Sequence, residues 1–183
     1  AEFYKTEPRV HIDVQEDSSQ RLLPLLLNGG LDAVFCREPV LLPASYVFKP
    51  LQPDEPVIMA STRHPLAKRR GVALSALKDS RWVLPTATIA VREIFEREVL
   101  AALPDALQFP VSTVSLPVFA SLLNQPDAVA LVPQSIAPVL PSGAQLCQLD
   151  VQLSSPLPPL GVVHRREQIP AMLIRMLKSW RNK

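Results

Sequence analysis

The first regular pattern along the chain is an alternation of hydrophobic and polar residues from Val10 to Gln15. Val10, Ile12 and Val14 would point to one side and the residues between them to the other, which is the period of a half-buried strand. The later run Leu31–Cys36 is almost continuously apolar, as is typical of a strand buried on both faces. With a helix between them, these segments predict a strand–helix–strand unit with parallel strands and a right-handed crossover.

The helix of this unit is predicted from leucines at helical spacing. Ser18 or Ser19 can cap its start, and Gly29 and Gly30 can end it because glycine accepts the left-handed conformation. Pro24 lies inside the pattern and lacks a backbone N–H, so we expect a late start or a loosened first turn.

The same periodicities predict further elements along the rest of the chain. Strands are predicted at residues 46–51, 56–60, 82–84, 109–114, 128–132, 146–149 and 157–164. Helices are predicted at residues 74–77, 86–103, 115–124, 135–140 and 169–180. The basic segment 61–70 is predicted to be a solvated loop.

Strands and helices therefore alternate in two series, up to about residue 60 and again from about residue 81 to residue 150. This alternation predicts two α/β lobes, each built on a mainly parallel sheet with helices on both faces. A chain that crosses to the second lobe and returns would place two connecting strands side by side as a hinge. In such folds, ligands bind between the lobes at the carboxyl ends of the strands.

Composition narrows the class of protein. The 183 residues are 48% hydrophobic and 20% charged, which is typical of a soluble globular protein. No apolar run approaches the roughly 18 residues that a membrane helix needs, and a net charge of +2 is too small to indicate nucleic-acid binding by this segment.

Cys36 and Cys147 lack metal-ligand spacing and favour free thiols in a reducing cytoplasm. The first residues resemble the end of a helix and not a secretory leader, so we expect further chain ahead of Ala1.

Residues that could form a catalytic or cofactor site are sparse. His11, His64 and His164 are scattered without metal-ligand spacing, and neither a nucleophile elbow nor a phosphate loop occurs. With only five glycines in the chain, a glycine-rich dinucleotide turn is not expected. The sequence therefore predicts no enzyme activity, no metal site and no cofactor.

Hydroxyl residues at the ends of predicted strands give the strongest signal for a ligand site. Thr86 and Thr88 follow one strand of the second lobe, and Ser115 follows the next. A helix that starts there aims backbone N–H groups at the cleft, which suits a carboxylate or another small anion. The alternative is that these residues merely cap helices. Arg37 in the first lobe could meet a ligand across the cleft, or it could be a surface arginine or pair with Glu38.

At this point the chain resembles the effector-binding domain of LysR-type transcriptional regulators. The segments that carry the resemblance are, in order, PRVHIDVQED, NGGLDAVFCRE, PVIMASTRHPLA, RWVLPTATIAVREIFE and VSTVSLPVFASLLNQPDAVALVPQSIA. NGGLDAVF is similar to the family's G-x-L-D-hydrophobic signature, and HPLA is a frequent family tetrapeptide. The order and spacing match over essentially the whole chain. The ending PLPPLGVVHRRE resembles a subgroup tied to aromatic-acid or sugar catabolism.

The resemblance implies an α/β fold of two Rossmann-like lobes, similar to type 2 periplasmic binding proteins, with hinge crossover strands. It implies that residues 1–60 and 162–183 form lobe I and that residues 61–161 form lobe II. It also implies an N-terminal winged helix-turn-helix, which is expected outside this chain together with the first strand and most of the first helix of lobe I.

For the binding site, the resemblance implies effector contacts at Thr86, Thr88 and Ser115, and it adds Pro133 as a residue that lines the second lobe. It further implies a head-to-tail dimer, in which the helix and edge strand of lobe I meet a helix of the partner's lobe II. The interface residues would be Val10, Ile12, Val14, Arg21, Leu25, Val118 and Leu122.

We therefore expect the sensor half of a cytoplasmic DNA-binding transcription regulator that is not an enzyme. A small effector, either a carboxylate or a sugar-derived metabolite, would favour one arrangement of a homodimer or homotetramer. DNA would be bound only through the missing N-terminal domain, and no membrane partner is expected. An extracytoplasmic solute-binding protein of a transporter is the alternative on the same fold. A two-lobed enzyme is a third alternative, for which the sequence offers no convergent acid–base set.

Overall fold

The computed structural model describes residues 10–86, 89–140, 145–167 and 174–175. The chain forms two compact units. Unit 1 comprises Ala1–Pro53 with Pro158–Lys183, and unit 2 comprises Asp54–Leu157. The expected lobes divide the chain at residues 60 and 161, so the segment 54–60, which was expected in lobe I, lies in unit 2.

Each unit contains its own sheet and helices. The described strands are β1 (Ala33–Arg37), β2 (Tyr46–Gln52), β3 (Pro56–Ser61), β4 (Arg81–Leu84), β5 (Leu107–Ser112), β6 (Ala128–Pro133), β7 (Leu146–Leu149) and β8 (Leu160–Arg165). The helices are α1 (Ser19–Leu27), α2 (Ala90–Ile94 continued by the π turn Phe95–Val99 and by Leu100–Ala102) and α3 (Leu116–Leu123), with 3-10 helices at Leu74–Leu77 and Gln134–Val139. The predicted helix 169–180 lies outside the described residues, except that positions 174 and 175 are helical.

The sheet of unit 1 has the strand order β1–β8–β2, and β8 is antiparallel to both neighbours. The prediction of a mainly parallel sheet is therefore wrong for this unit. The chain leaves unit 1 after β2 and returns through β8, so these two neighbours run in opposite directions. Their pairing, in which Pro50 lies opposite Gly161, confirms that the two connecting strands run side by side.

The predicted strand from Val10 to Gln15 is also wrong, because residues 10–18 form no regular secondary structure. A strand exists through its hydrogen-bonded ladder. In the described part of unit 1, that ladder contains only β1, β8 and β2. The side chain of Val14 is 80% exposed. The expected strand–helix–strand unit with parallel strands is therefore not formed by the described residues.

Helix α1 ends as its glycines predict, and it accommodates Pro24 in its interior. Gly29 has a φ of 79°, in the left-handed region. The N–H of Gly29 donates to the Leu26 carbonyl at 3.0 Å, and the N–H of Gly30 donates to the Leu25 carbonyl at 2.8 Å. This is the Schellman pattern, which provides partners for the last carbonyl groups of a helix.

Among the described residues of unit 1, a cluster of buried side chains lies between α1 and the sheet. Its buried members are Leu26, Val34, Cys36, Tyr46 and Val163. The hydroxyl of Tyr46 donates to the Leu26 carbonyl at 3.2 Å, so the end of α1 is fixed to β2 by a buried hydrogen bond.

The sheet of unit 2 has the strand order β5–β4–β6–β3–β7. Strand β4 is parallel to β5 and to β6, whereas β3 is antiparallel to β6 and to β7. This sheet is therefore mixed, and the expectation of a mainly parallel sheet is wrong here as well. The parallel part, β5–β4–β6, is the part that carries the predicted ligand loops.

Helix α2 packs on this sheet through the apolar face that its periodicity predicts. Val91, Ile94, Phe95 and Val99 are all buried. The ring of Phe95 meets the ring of Trp82 on β4 edge-on, with 5.1 Å between the ring centroids. Helix α2 thereby packs directly against β4, the strand that precedes the Thr86 loop.

The basic segment 61–70 is more than the solvated loop that was predicted. Ser61 and His64 are buried, with 0% and 5% exposure. The N–H of Leu66 donates to His64 Nδ1 at 3.1 Å. His64 Nε2 therefore carries the ring proton, and it donates to the hydroxyl of Ser80 at 3.2 Å. The prediction failed because the partner of His64 lies in another loop, which local polarity does not reveal.

Candidate functional site

The parallel strands of unit 2 end at one edge of the sheet, and their following loops form the candidate site. Leu84 on β4 lies opposite Ser112 on β5, and Trp82 on β4 lies opposite Val129 on β6. The carboxyl ends of three neighbouring strands therefore meet at this edge. The loops after β4 and β5 contain Thr86 and Ser115, Pro133 is the last residue of β6, and this edge is where α/β sheets bind ligands.

The loop after β4 does not start a helix at Thr86. Thr86 is partly exposed, and its carbonyl accepts the N–H of Ile89 at 3.2 Å. Helix α2 begins at Ala90, with Ile89 at its N-cap and no side-chain capping bond. The predicted start of this helix at residue 86 is therefore wrong, because the helix begins four residues later. Thr88 lies outside the described residues.

The loop after β5 keeps Ser115 at the start of α3, as predicted. The carbonyl of Ser115 accepts the N–H of Phe119 at 2.9 Å, and its own N–H donates to Thr113 Oγ1 at 3.0 Å. Its side chain is exposed and makes no capping hydrogen bond to α3. An exposed hydroxyl-bearing residue is thus the N-cap of α3, and a helix N-terminus is a suitable environment for a small anion.

The loop after β6 is fixed by a carboxylate that the sequence analysis missed. Asp54 is 8% exposed, and it accepts the N–H of Ser135 at 3.1 Å and the hydroxyl of Ser135 at 2.6 Å. The carbonyl of Glu55 accepts the N–H of Gln134 at 2.8 Å. These bonds hold the turn that begins at Pro133 against the start of β3. No local signal could have revealed the pair, because its members are 81 positions apart.

Asp54 also places a negative charge at one part of this edge. Its carboxylate already accepts hydrogen bonds at the start of the Gln134–Val139 helix. A second negative charge there would meet electrostatic repulsion. The turn at Pro133 is therefore a less suitable environment for an anion than the loops of Thr86 and Ser115.

Arg37 belongs to unit 1, where it ends β1. Its guanidinium donates to the Pro158 carbonyl at 2.8 Å, and the N–H of Glu38 donates to the Pro159 carbonyl at 3.1 Å. Arg37 thus holds the segment that leads into β8. A contact between Arg37 and a ligand stays a prediction.

The predicted interface residues differ in how much of each side chain is accessible. Leu25 on α1 and Val118 on α3 are exposed by 43% and 45%. Arg21 is exposed and lies 3.4 Å from the Asp17 carboxylate. The remaining predicted positions are exposed at Val14 and partly buried at Val10, Ile12 and Leu122.

A family model described as the LysR substrate-binding domain matches residues 1–180. This chain belongs to the LysR substrate-binding domain family. The prediction of a LysR-type effector-binding domain is thereby confirmed, and the alternative of a transporter's solute-binding protein finds no support. The family is one of transcriptional regulators.

Two curated relatives carry the name HTH-type transcriptional regulator. YtlI of Bacillus subtilis is 28% identical over 98 residues, which are 54% of this chain and 32% of YtlI. TtuA of Agrobacterium vitis is 33% identical over 84 residues, which are 46% of this chain and 28% of TtuA. The matched part of the LysR-family chain thus spans about a third of each relative.

Solved structures of LysR regulatory domains share the fold. The regulatory domain of CcmR from Synechocystis PCC6803 in complex with 2-PG has a TM-score of 0.78 at 16% identity, over 99% of this chain and 86% of that chain. The reduced form of the OxyR regulatory domain from Pseudomonas aeruginosa has a TM-score of 0.76 at 19% identity, over 99% of this chain and 87% of that chain. The predicted α/β fold of two sheets, like that of type 2 periplasmic binding proteins, is confirmed.

The thiols of this LysR-family chain lie in environments that disfavour thiolate. Both cysteines are free. Burial raises the pKa of the Cys36 thiol to about 11 and also raises the pKa of Cys147. Because the thiolate is the reactive form, neither cysteine has the character of a redox-sensing residue.

The described residues contain no group of three or more histidine, cysteine or acidic side chains that could hold a metal ion. Among the same residues, no helix is both long and apolar enough to cross a membrane.

Proposed function

We propose that this chain is the effector-sensing domain of a LysR-type DNA-binding regulator and that unit 2 contacts a small metabolite at the edge described above. The observation that carries the proposal is the placement of Thr86, Ser115 and Pro133 at the carboxyl ends of three neighbouring parallel strands. Hydroxyl groups and helix-start N–H groups suit a carboxylate or a hydroxyl-rich metabolite derived from a sugar. The complex of the CcmR regulatory domain with 2-PG supports a small ligand for this fold.

The effector would act by shifting a population of conformations. A ligand that binds one arrangement of the oligomer more tightly than another favours that arrangement by the difference in binding free energy. Sequence-specific DNA contacts would come from another part of the protein, as the names of the curated relatives suggest. The whole protein would then work in the cytoplasm, where its DNA is.

We also propose that the chain forms a homodimer or homotetramer through α1, the segment 10–15 and α3. Leu25, Val14 and Val118 present exposed apolar side chains on these elements. Exposed apolar groups of this kind favour contact with a partner surface. The head-to-tail pairing expected from the family would bring the unit 1 surface of one copy to the unit 2 surface of another.

The effector site is tested with Thr86→Val, which removes a hydroxyl and keeps the shape of the side chain. A thermal-shift screen of small carboxylates and sugar acids selects a ligand, and a binding isotherm follows for each variant. We expect Thr86→Val to weaken binding by about tenfold to a hundredfold, because a hydrogen bond to a charged group contributes about 1.5–3 kcal/mol. An isotherm equal to that of the unchanged chain would remove this loop from the site.

The matched control is Thr62→Val. Thr62 is an exposed threonine of unit 2 that directly follows Ser61, the last residue of β3. Strand β3 runs antiparallel to β6, so this end of β3 lies at the sheet edge opposite the candidate site. The control variant should bind the selected ligand like the unchanged chain.

A further inference from the structure

Positive charge is concentrated in the part of unit 2 between Ser61 and Arg81. The whole chain carries a formal charge of +2, whereas this stretch alone carries +5. Its only carboxylate is Asp79, and its basic residues are Arg63, Lys68, Arg69, Arg70, Lys78 and Arg81. The small net charge of the chain therefore conceals a strongly basic segment.

A buried contact links the two loops that carry the basic residues of this segment. One loop follows His64 and the other surrounds Ser80, and the buried hydrogen bond between His64 Nε2 and Ser80 Oγ, at 3.2 Å, joins them. Lys68 thus belongs to a turn that is fixed to the loop containing Lys78. A buried hydrogen bond of this kind holds the two loops in a defined relation.

Two of the basic residues already have structural partners. Arg63 donates to the carbonyl of Asn124 at 2.7 Å. Arg81 lies 3.9 Å from the Asp127 carboxylate and 5.2 Å from the ring centroid of Phe109. The charged groups of these two residues are therefore engaged in contacts within unit 2.

The other four, Lys68, Arg69, Arg70 and Lys78, are exposed and are called the basic surface. No ion pair among the described residues joins any of them to a carboxylate. The nearby Asp150 carboxylate accepts the N–H of Gly71 at 3.0 Å. The acidic groups next to the basic surface, Asp79 and Asp150, are fewer than its cations.

We propose that the basic surface binds the phosphate backbone of duplex DNA without reading its sequence. Flexible basic side chains can follow a row of phosphate groups. Contacts with phosphates position a protein on the duplex but do not distinguish one base sequence from another. An acidic protein is a poorer fit, because protein interfaces are centred on apolar anchors. The larger apolar residues of this segment, such as Val72 and Leu77, are buried. The proposal rests on the proposed function, since a domain tethered to a DNA-binding part lies close to DNA.

The test measures binding of the 183-residue chain to a fluorescent duplex of random sequence. Anisotropy titrations run from about 20 to about 150 mM KCl, a range over which screening changes strongly. The logarithm of affinity falls with the logarithm of salt concentration, and each phosphate contact adds about 0.9 to the magnitude of this slope. The variant Arg69→Gln with Arg70→Gln should therefore reduce the magnitude of the slope by about 1.8.

The matched control is Lys49→Gln with Arg97→Gln, which removes the same charge from exposed positions outside the basic surface. It should leave the slope as in the unchanged chain. An equal change in both variants, or an absence of duplex binding at about 20 mM KCl, would overturn the proposal. Polyglutamate at an equal concentration of charge should fail to displace the duplex, and efficient displacement would assign the surface to an acidic protein instead.

Effector titrations on the same proteins separate this inference from the proposed function. If the magnitude of the duplex slope falls as expected but no effector binds at the Thr86 loop, the effector site is wrong and the basic surface stands. If Arg69→Gln with Arg70→Gln leaves the duplex slope unchanged while Thr86→Val weakens effector binding, the basic surface is wrong and the effector site stands.

Discussion

His64 is a buried base whose protonation would break a contact of the fold. The neutral ring accepts the N–H of Leu66 at Nδ1, and a protonated ring has no lone pair there. Burial lowers the pKa of His64 below its usual 6.5, and the Asp127 carboxylate opposes this by acting to raise it. The folded chain therefore binds a proton at this position less readily than the unfolded chain.

This difference predicts that stability falls in mild acid. The contribution of His64 is fully present above pH 6.5 and decreases as the pH falls through its lower pKa in the folded chain. Urea denaturation at about pH 7.5 and about pH 5.5 should show lower stability at the lower pH, and His64→Gln should reduce this difference. The variant His11→Gln, which changes an exposed histidine, should retain it. Equal pH dependence in the unchanged chain and in His64→Gln would contradict the assignment.

Glu98 does not interfere within this pH range. Burial acts to raise its pKa, but hydrogen bonds from the Ser154 N–H at 2.6 Å and the Ser155 N–H at 3.0 Å lower it below 4.5. Its carboxylate therefore stays ionised at both pH values of the experiment.

The positions of some candidate residues could be predicted from the sequence, and others could not. Thr86 and Ser115 lie after strands, as predicted, because that place is a local feature of the hydrophobic pattern, whereas their contact with an effector stays a prediction. Asp54 was missed because its partner Ser135 lies on a distant segment that only folding brings close. Side-chain contacts between distant segments leave no periodic signal, so the sequence analysis could not supply them.

At the scale of elements, periodicity located most strands and helices but not their pairing. The alternation from Val10 to Gln15 describes which side chains share a face, whereas a strand also needs a hydrogen-bonded neighbour. The direction of β8 was missed for a related reason. Its apolar run indicates burial, but its antiparallel pairing with β1 and β2 follows from the return of the chain into unit 1.

At the centre of the unit 1 sheet, adding one methyl group to Gly161 should strongly reduce the stability of the fold. Gly161 lies on β8 between β1 and β2, and an added Cβ would overlap the ring of Phe48 and the carbonyl of Lys49. The backbone carbonyl cannot move without disturbing the ladder. We therefore expect Gly161→Ala to lower the free energy of unfolding by about 1–3 kcal/mol, the usual cost of overpacking.

The denaturant midpoint of Gly161→Ala measures this effect, with Gly30→Ala as the control. A Cβ at Gly30 would approach no heavy atom closer than 3.4 Å. The control should change the midpoint much less than the β8 variant. Similar midpoints for the two variants would show that the sheet relaxes around position 161.

At the scale of the whole molecule, alternating strands and helices were sufficient to predict two α/β units. The residues at which the chain passes from one unit to the other could not be predicted as accurately. The hydrophobic pattern of a connecting strand does not show which of the two sheets the strand joins. Strand β3 illustrates this, since its continuous apolar run fits either sheet and its ladder partners are β6 and β7. Packing against distant strands determines its unit.

Self-association of the chain is also a property of the whole molecule, and it can be predicted from the exposed apolar residues. Val14 and Leu25 expose apolar side chains in unit 1, and Val118 does so in unit 2. In a head-to-tail pair each copy would bury both surfaces against its partner. A charge introduced into such a contact would have to be buried without a partner, which costs far more free energy than the same charge in water.

We therefore expect Leu25→Glu and Val118→Glu each to shift the chain from dimer or tetramer towards monomer in sedimentation at micromolar concentration. The control is Val139→Glu, which places a charge at a residue of unit 2 that is 58% exposed and outside the proposed contact. All three glutamates should leave the denaturant midpoint nearly unchanged when it is measured at a concentration where every variant is monomeric, because an exposed position accepts a charge at little cost. A chain that sediments as a monomer without any substitution would rule out this pairing, and so would association that survives both contact variants.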